Sequence, residues 1–211
     1  VFNQQVQVSA TANTGYSFVN WTIDSGRDNR NNILFRNRNI LSTDASFIYT
    51  MPAEDVSLTA NFTQNNYTLT LNASPQEGGT VTGGGSYVYN QQVNLTATPG
   101  TGYSFLNWTM DGTVISTQAN FTYTMPADDT ELLANFTQNN YSLTINSNPV
   151  EGGTVTGAGT YVYGQEIQVT AIIATGYNFV NWTLESRGNN RNSMLLKNRN
   201  VISTEANFTY I

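Results

Sequence analysis

The chain predicts an all-β fold built from copies of one small module, on two observations. The pattern Gly-Tyr-x-Phe-x-Asn-Trp-Thr occurs at residues 15–22, 102–109 and 176–183, and self-similarity at a fixed spacing is the mark of a repeat architecture. Charged residues make up only 10% of the chain, well below the usual ~25%. The polar remainder is Asn, Gln, Thr and Ser, and with strand-forming Tyr, Val and Thr it suits half-buried sheets. No window carries a helical stripe.

The recurring octapeptide reads as a turn glycine followed by a strand of period two. Strict alternation would put Tyr16, Phe18 and Asn20 on one face and Ser17, Val19 and Trp21 on the other. Large apolar groups then lie on both faces, so the strand is expected to be central and covered on each side. Trp21, Trp108 and Trp182 are read as the core anchors, since a buried tryptophan is worth about 3–5 kcal/mol.

The chain divides into a partial first repeat (1–63), a complete second (64–137) and a partial third (138–211). The first opens on Val1-Phe2-Asn3-Gln4-Gln5-Val6, matched by 88–93 and 162–167. After the Trp21 strand come Phe47-Ile48-Tyr49 and a Met51-Pro52-Ala53-Glu54-Asp55 turn, where proline fixes φ and aspartate bonds locally. A closing strand follows with Val56, Leu58, Ala60 and Phe62 on one face. Short polar joints, Gln64-Asn65-Asn66 and Gln138-Asn139-Asn140, leave neighbouring repeats little freedom. The second repeat starts with alternating Tyr67, Leu69 and Leu71. Its glycine-rich stretch, 78–85, is expected to be a hairpin or bulge, and 152–157 repeats it. The third copy stops at Tyr210-Ile211, before its Met-Pro turn and closing strand. Beginning and ending in mid-repeat, the chain is expected to be a segment of something longer.

The repeats differ after the tryptophan. In the middle copy Asp111-Gly112 signals a tight hairpin. In the outer copies the same junction expands to insertions at 24–39 and 185–200. These hold every basic residue: Arg27, Arg30, Arg36 and Arg38, then Arg187, Arg191, Lys197 and Arg199. The net charge of −6 therefore belongs to a body that would repel phosphate, which argues against nucleic-acid binding. A solvated basic hairpin without a partner is one reading of the insertions. The other treats them as docking ribbons, because arginine beside apolar Phe35 and Leu196 has the composition of an interaction surface. An acidic neighbouring module, another copy of the chain or an anionic glycan would fit them.

Taken in order, Tyr67-x-Leu-x-Leu, Gly78-Gly79-Thr80-Val81, Gly102-Tyr103-x-Phe-x-Asn-Trp108, Met125-Pro126-Ala127 and Ala134-Asn135-Phe136 resemble the divergent internalin-type B-repeat. That family consists of small β-grasp-like modules arranged in tandem in large bacterial, and some archaeal, surface proteins. The resemblance covers nearly the whole chain apart from the two insertions. It implies tandem small β-grasp-like or β-sandwich modules in an elongated array, an extracellular cell-surface location, and a non-catalytic spacer or adhesion role with no cofactor.

The residues themselves supply little chemistry. The chain has no Cys and no His, which removes disulfides, thiolate and imidazole metal sites, and Ser–His or Cys–His catalysis. The carboxylate pairs Glu54-Asp55 and Asp128-Asp129 lack the converging oxygen set of a calcium loop. The glycine stretches lack the Gly-Lys-Ser/Thr ending of a phosphate loop. Lys197 is the only lysine, so intramolecular isopeptide cross-links cannot staple the repeats. No apolar run is long enough to span a membrane. Sequons at Asn20, Asn61, Asn107, Asn135, Asn181 and Asn207 are candidate glycosylation sites, or chance triplets in an Asn- and Thr-rich chain. The expected role is a stalk or filament component that contacts other modules or copies of itself, with strand addition where a repeat is incomplete. The alternative is an adhesin that binds a glycan or a host protein.

Overall fold

A computed structural model describes residues 2–24, 38–185 and 199–211. The middle repeat shows the module in full. Its strands are β6 (Asn66–Ser74), β7 (Gly79–Thr82), β8 (Gly85–Val88), β9 (Gln92–Pro99), β10 (Tyr103–Met110), β11 (Thr113–Ser116), β12 (Asn120–Thr124) and β13 (Thr130–Gln138), with a single 3₁₀ turn at Gln76–Gly78. They form a five-stranded sheet in the order β11-β10-β13-β6-β8 and a three-stranded sheet in the order β12-β9-β7. The first and last strands, β6 and β13, run parallel, with Thr130 opposite Leu69 through Asn135 opposite Ser74. A parallel pair needs a long crossover, and here the rest of the module supplies it.

The first repeat contains β1 (Gln5–Ser9), β2 (Tyr16–Asp24), β3 (Arg38–Ser42), β4 (Ser46–Thr50) and β5 (Ser57–Gln64). They make a β1-β4 pair and a β3-β2-β5 sheet. The third contains β14 (Asn140–Leu143), β15 (Gly153–Thr156), β16 (Gly159–Val162), β17 (Ile167–Ile173), β18 (Trp182–Glu185), β19 (Arg199–Ser203) and β20 (Asn207–Tyr210). These pair as β14-β16, β15-β17-β20 and β18-β19. By packing, the chain separates into two compact units: residues 1–74, 81–98 and 107–135 form one, and residues 75–80, 99–106 and 136–211 the other.

All three tryptophans are buried, Trp108 completely. Each indole N–H donates to a backbone carbonyl just before the β4-type strand: Ala45 for Trp21, Ala119 for Trp108 and Glu205 for Trp182. Each ring meets a phenylalanine of that strand in a tilted or edge contact, Phe47, Phe121 or Phe208, with centroids 6.1, 5.9 and 5.9 Å apart. The indole therefore ties one sheet to the other at the same place in every copy, and the partnered N–H makes its burial affordable.

Two expectations need correction. Strict alternation along the tryptophan strand fails, because a bulge between Phe18 and Asn20 leaves Val19 without an opposite residue on β5. The extra residue turns Phe18 onto the same face as Trp21, their rings 6.0 Å apart. Val19 and its counterparts Leu106 and Val180 are exposed. The strand is central, between β3 and β5, with Trp21 buried while Val19 is exposed. The glycine stretch is likewise not a hairpin. β7 joins the sheet of β9 while β8 joins that of β6, so the segment carries the chain from one sheet to the other. Gly83, at φ +111°, makes that passage against the Asn94 carbonyl and Leu95, where a Cβ would have 2.6 and 2.8 Å of room.

The Asp111-Gly112 hairpin forms as expected, with both residues at positive φ (48° and 77°), the conformation a two-residue turn of this hand requires. Met125 is fully buried and exchanges backbone hydrogen bonds with Asn90 and Gln91. The Met-Pro segment thus begins as core before it becomes a turn.

Candidate interface between repeats

Polar and steric contacts recur at the two joints. A tight turn between β8 and β9 is closed by the Gln91 N–H donating to the Val88 carbonyl (3.1 Å) and by the Val88 N–H donating to Gln91 Oε1 (3.1 Å). Asn90 takes the left-handed position, φ 65°, which asparagine tolerates. Tyr89 is thereby held at the tip of the turn. In the third repeat Gln165 and Val162 make the same two bonds, Gly164 is left-handed at φ 76°, and Tyr163 is at the tip.

Each tip tyrosine lies on the glycine of the Gly-Tyr turn in the preceding repeat. A Cβ on Gly15 would stand 2.5 Å from Tyr89 Cβ, and one on Gly102 would overlap Tyr163 Cβ and its ring. Both glycines have left-handed φ, +81° and +80°. The site needs glycine twice over, for backbone conformation and for close approach.

The joint residues complete the contact. The Asn65 N–H donates to the Gly15 carbonyl (2.8 Å), and Ser17 Oγ donates to Asn65 Oδ1 (2.8 Å). At the next joint the Asn139 N–H donates to the Gly102 carbonyl (2.7 Å), and Ser104 Oγ donates to Asn139 Oδ1 (2.6 Å). One asparagine thus secures the joint strand to the turn of the repeat before it, with bonds worth about 1 kcal/mol each.

With this geometry in place, the family comparison is decisive. The model described as "Divergent InlB B-repeat domain" matches residues 1–66, 67–140 and 143–211. This chain belongs to the divergent InlB B-repeat family. B-repeats are a repeat domain of surface proteins rather than a known enzyme family. Neither the curated proteins nor the solved structures contain a match to the chain.

The basic insertions of these B-repeats mostly fall outside the described residues. Arg27, Arg30, Phe35, Arg36, Arg187, Arg191, Leu196 and Lys197 all lie there, while Arg38 and Arg199 begin β3 and β19. Among the sequons, Asn61 Nδ2 donates to Asn20 Oδ1 (2.8 Å) and Thr22 Oγ1 (3.1 Å). Asn135 Nδ2 repeats this with Asn107 Oδ1 (2.8 Å) and Thr109 Oγ1 (3.1 Å). Asn181 is half-buried and Asn207 exposed. Among the described residues no group of three or more acidic, His or Cys side chains gathers as a metal site, and no helix is long and apolar enough to cross a membrane.

Sequence reasoning missed Tyr89, Tyr163, Gly15, Gly102, Asn65 and Asn139 as a functional set. Their signal was present in the repeats: an aromatic at the same place before Asn/Gly-Gln, and an asparagine at the same place in each joint.

Proposed function

We propose that this chain is a non-catalytic, extracellular spacer: a tandem B-repeat segment of a cell-surface stalk or filament. The observation that carries the reading is the recurrence of one joint. Glycine under tyrosine, and asparagine on the glycine carbonyl and on a serine hydroxyl, appear at 15/89/65/17 and again at 102/163/139/104. A device repeated between modules serves the array. The basic insertions at 24–39 and 185–200 are assigned to contacts with acidic modules or with other copies of the chain. Electron microscopy and small-angle scattering of the purified chain test this reading. Rods or end-to-end filaments, shortened or lost on deleting residues 27–39 and 187–199, are the expected result, and isolated round particles would remove it.

An adhesin reading is favoured by one feature, the arginines set beside apolar Ile33-Leu34-Phe35 and Met194-Leu195-Leu196. It requires the insertions to bind a glycan or a host protein. A glycan array without hits, together with unchanged cell binding after the same deletions, would eliminate it.

A further inference from the structure

The two sheets of the middle repeat present different edges. At the edge of the five-stranded sheet, β11 meets β10 through a bulge between Trp108 and Thr109. The corresponding strands of the outer repeats, β3 and β19, bulge at the same place and begin on Arg38 and Arg199. Bulges and charges are devices that keep an exposed edge from pairing with another chain. β12, an edge of the other sheet, has neither. Its residues Asn120-Phe121-Thr122-Tyr123-Thr124 lie opposite Thr96 through Gln92 in unbroken register, without charge or proline. β4 and β20 hold the same edge position beside β1 and β17, again unbroken and uncharged.

The direction of the main-chain groups follows from the ladder. The Ala97 N–H donates to the Ala119 carbonyl, and the Met125 N–H to the Gln91 carbonyl. Hydrogen-bonded pairs alternate along an antiparallel ladder, so Phe121 and Tyr123, between those two points, carry the bonds to β9. The N–H and C=O groups of Asn120, Thr122 and Thr124 therefore point away from β9, and among the described residues no strand lies on that side. The side chains of these three are exposed, and Thr122 Oγ1 donates to Asn94 Oδ1 at 2.9 Å. Phe121 and Tyr123 are half-buried, their rings 6.4 Å apart, and Phe121 also meets Trp108.

We infer that this edge pairs with the β12 edge of a second copy of the chain, antiparallel, about a two-fold axis at Thr122. The strand is its own complement in that register. Outward main-chain groups meet where Thr122 faces Thr122 and where each Asn120 faces Thr124 of the other copy, closing about six bonds. On the solvent face the same pairs set hydroxyl against hydroxyl and amide against hydroxyl. On the other face each Phe121 comes opposite a Tyr123, an aromatic cross-strand pair. The contact lies apart from the basic insertions and does not rest on the spacer reading, which the joints carry.

The chain has no cysteine, so introduced ones report on the register. Thr122→Cys brings its two Cα atoms to about 5.5 Å across the axis, within disulfide reach. Thr124→Cys leaves them about 14 Å apart, four residues along the strand. In air oxidation of the unglycosylated 211-residue chain, Thr122→Cys should cross-link at least about tenfold faster than Thr124→Cys. A mixture of Asn120→Cys and Thr124→Cys chains should also cross-link. In sedimentation of the cysteine-free chain, Thr122→Lys should weaken association about tenfold by setting like charges opposite each other. An equimolar mixture with Thr122→Glu should restore it. Circular dichroism melts that match the parent chain's establish that each variant is folded. Equal cross-linking of the two single cysteines, a monomer at millimolar concentration, or no rescue in the mixture would each overturn the inference and leave the spacer reading standing.

Discussion

Gly102 lies so close beneath Tyr163 that a side chain of any size on the glycine would overlap the tyrosine Cβ and ring. The contact joins a turn of the second repeat to a turn tip of the third, and Gly15 with Tyr89 repeats it one module earlier. Gly176 holds the same place in the third copy, at φ +84° against +80° for Gly102, but nothing lies within 4 Å of the Cβ position there. In this 211-residue chain Gly176 therefore serves as a control for Gly102. Gly102→Ala and Gly176→Ala share the left-handed backbone penalty of roughly 1–2 kcal/mol. Only Gly102→Ala adds the overlap, and it should lose at least about 1 kcal/mol more in urea unfolding. Adding Tyr163→Gly to Gly102→Ala should return that excess, a coupling read by a double-mutant cycle. Equal losses at the two glycines would show that the joint does not bear on stability.

The bulge at Val19 gives a second expectation, testable in the middle repeat. Phe105 and Leu106 are adjacent and both large, yet Phe105 meets Phe136 edge-on at 5.9 Å while Leu106 is 55% exposed. Phe105 is half-buried, and Phe105→Ala should cost about 1.5–3 kcal/mol. Leu106→Ser should stay within about 0.5 kcal/mol, as surface changes do. Thermal melts of the two variants separate the readings, since a strand covered on both faces would make both changes costly.

That bulge also marks where the sequence ceased to be readable. The repeat, the all-β class and the Asp111-Gly112 turn are written in residue types whose physics is local: period-two apolar placement, and a pair that accepts positive φ. Val19 is an ordinary β-former, and nothing in its identity says that it lacks a partner on β5. The bulge becomes visible only when Phe18 and Trp21 are found on one face. The glycine stretch failed for a similar reason. Glycines announce a change of direction but not which sheet receives the next strand, and β7 and β8 go to different ones. The joint was hidden because its parts lie far apart in sequence, Tyr89 being 74 residues from Gly15. The insertions were legible in composition, and their side chains lie outside the described residues.

Asp129 lies in one of the carboxylate pairs, and its geometry points to a structural duty. Its Oδ1 accepts the Thr68 backbone N–H at 2.6 Å, linking the Met-Pro turn to the opening strand. A carboxylate on a backbone N–H is worth about 1.5–3 kcal/mol. Asp129→Ala should therefore destabilise the chain by roughly that amount. Asp129→Asn, whose amide oxygen still accepts, should lose less. Calcium up to millimolar concentration should leave the melting temperature unchanged, and a rise that vanishes in Asp129→Ala would instead assign the carboxylate to a cation.

The asparagine pairs decide which sequons can carry sugar. Asn61 Nδ2 and Asn135 Nδ2, the atoms to which a glycan would attach, lie between strands and donate to Asn20 with Thr22 and to Asn107 with Thr109. Replacing Asn135 with Ala removes the donor and leaves two half-buried acceptors unmatched, at a cost of about 1–3 kcal/mol. Asn135→Asp should be worse, because a carboxylate would then face the Asn107 oxygen. Asn61→Ala should behave as Asn135→Ala does. A glycan on either nitrogen would have to break the same bonds, whereas Asn207 is exposed on β20. Expressed in a host that glycosylates such triplets, the chain should carry sugar at Asn207 and none at Asn61 or Asn135, as peptide mass spectrometry would read. Full occupancy at Asn135 with an unchanged melting temperature would mean that the amide pair contributes nothing to holding β13 against β10.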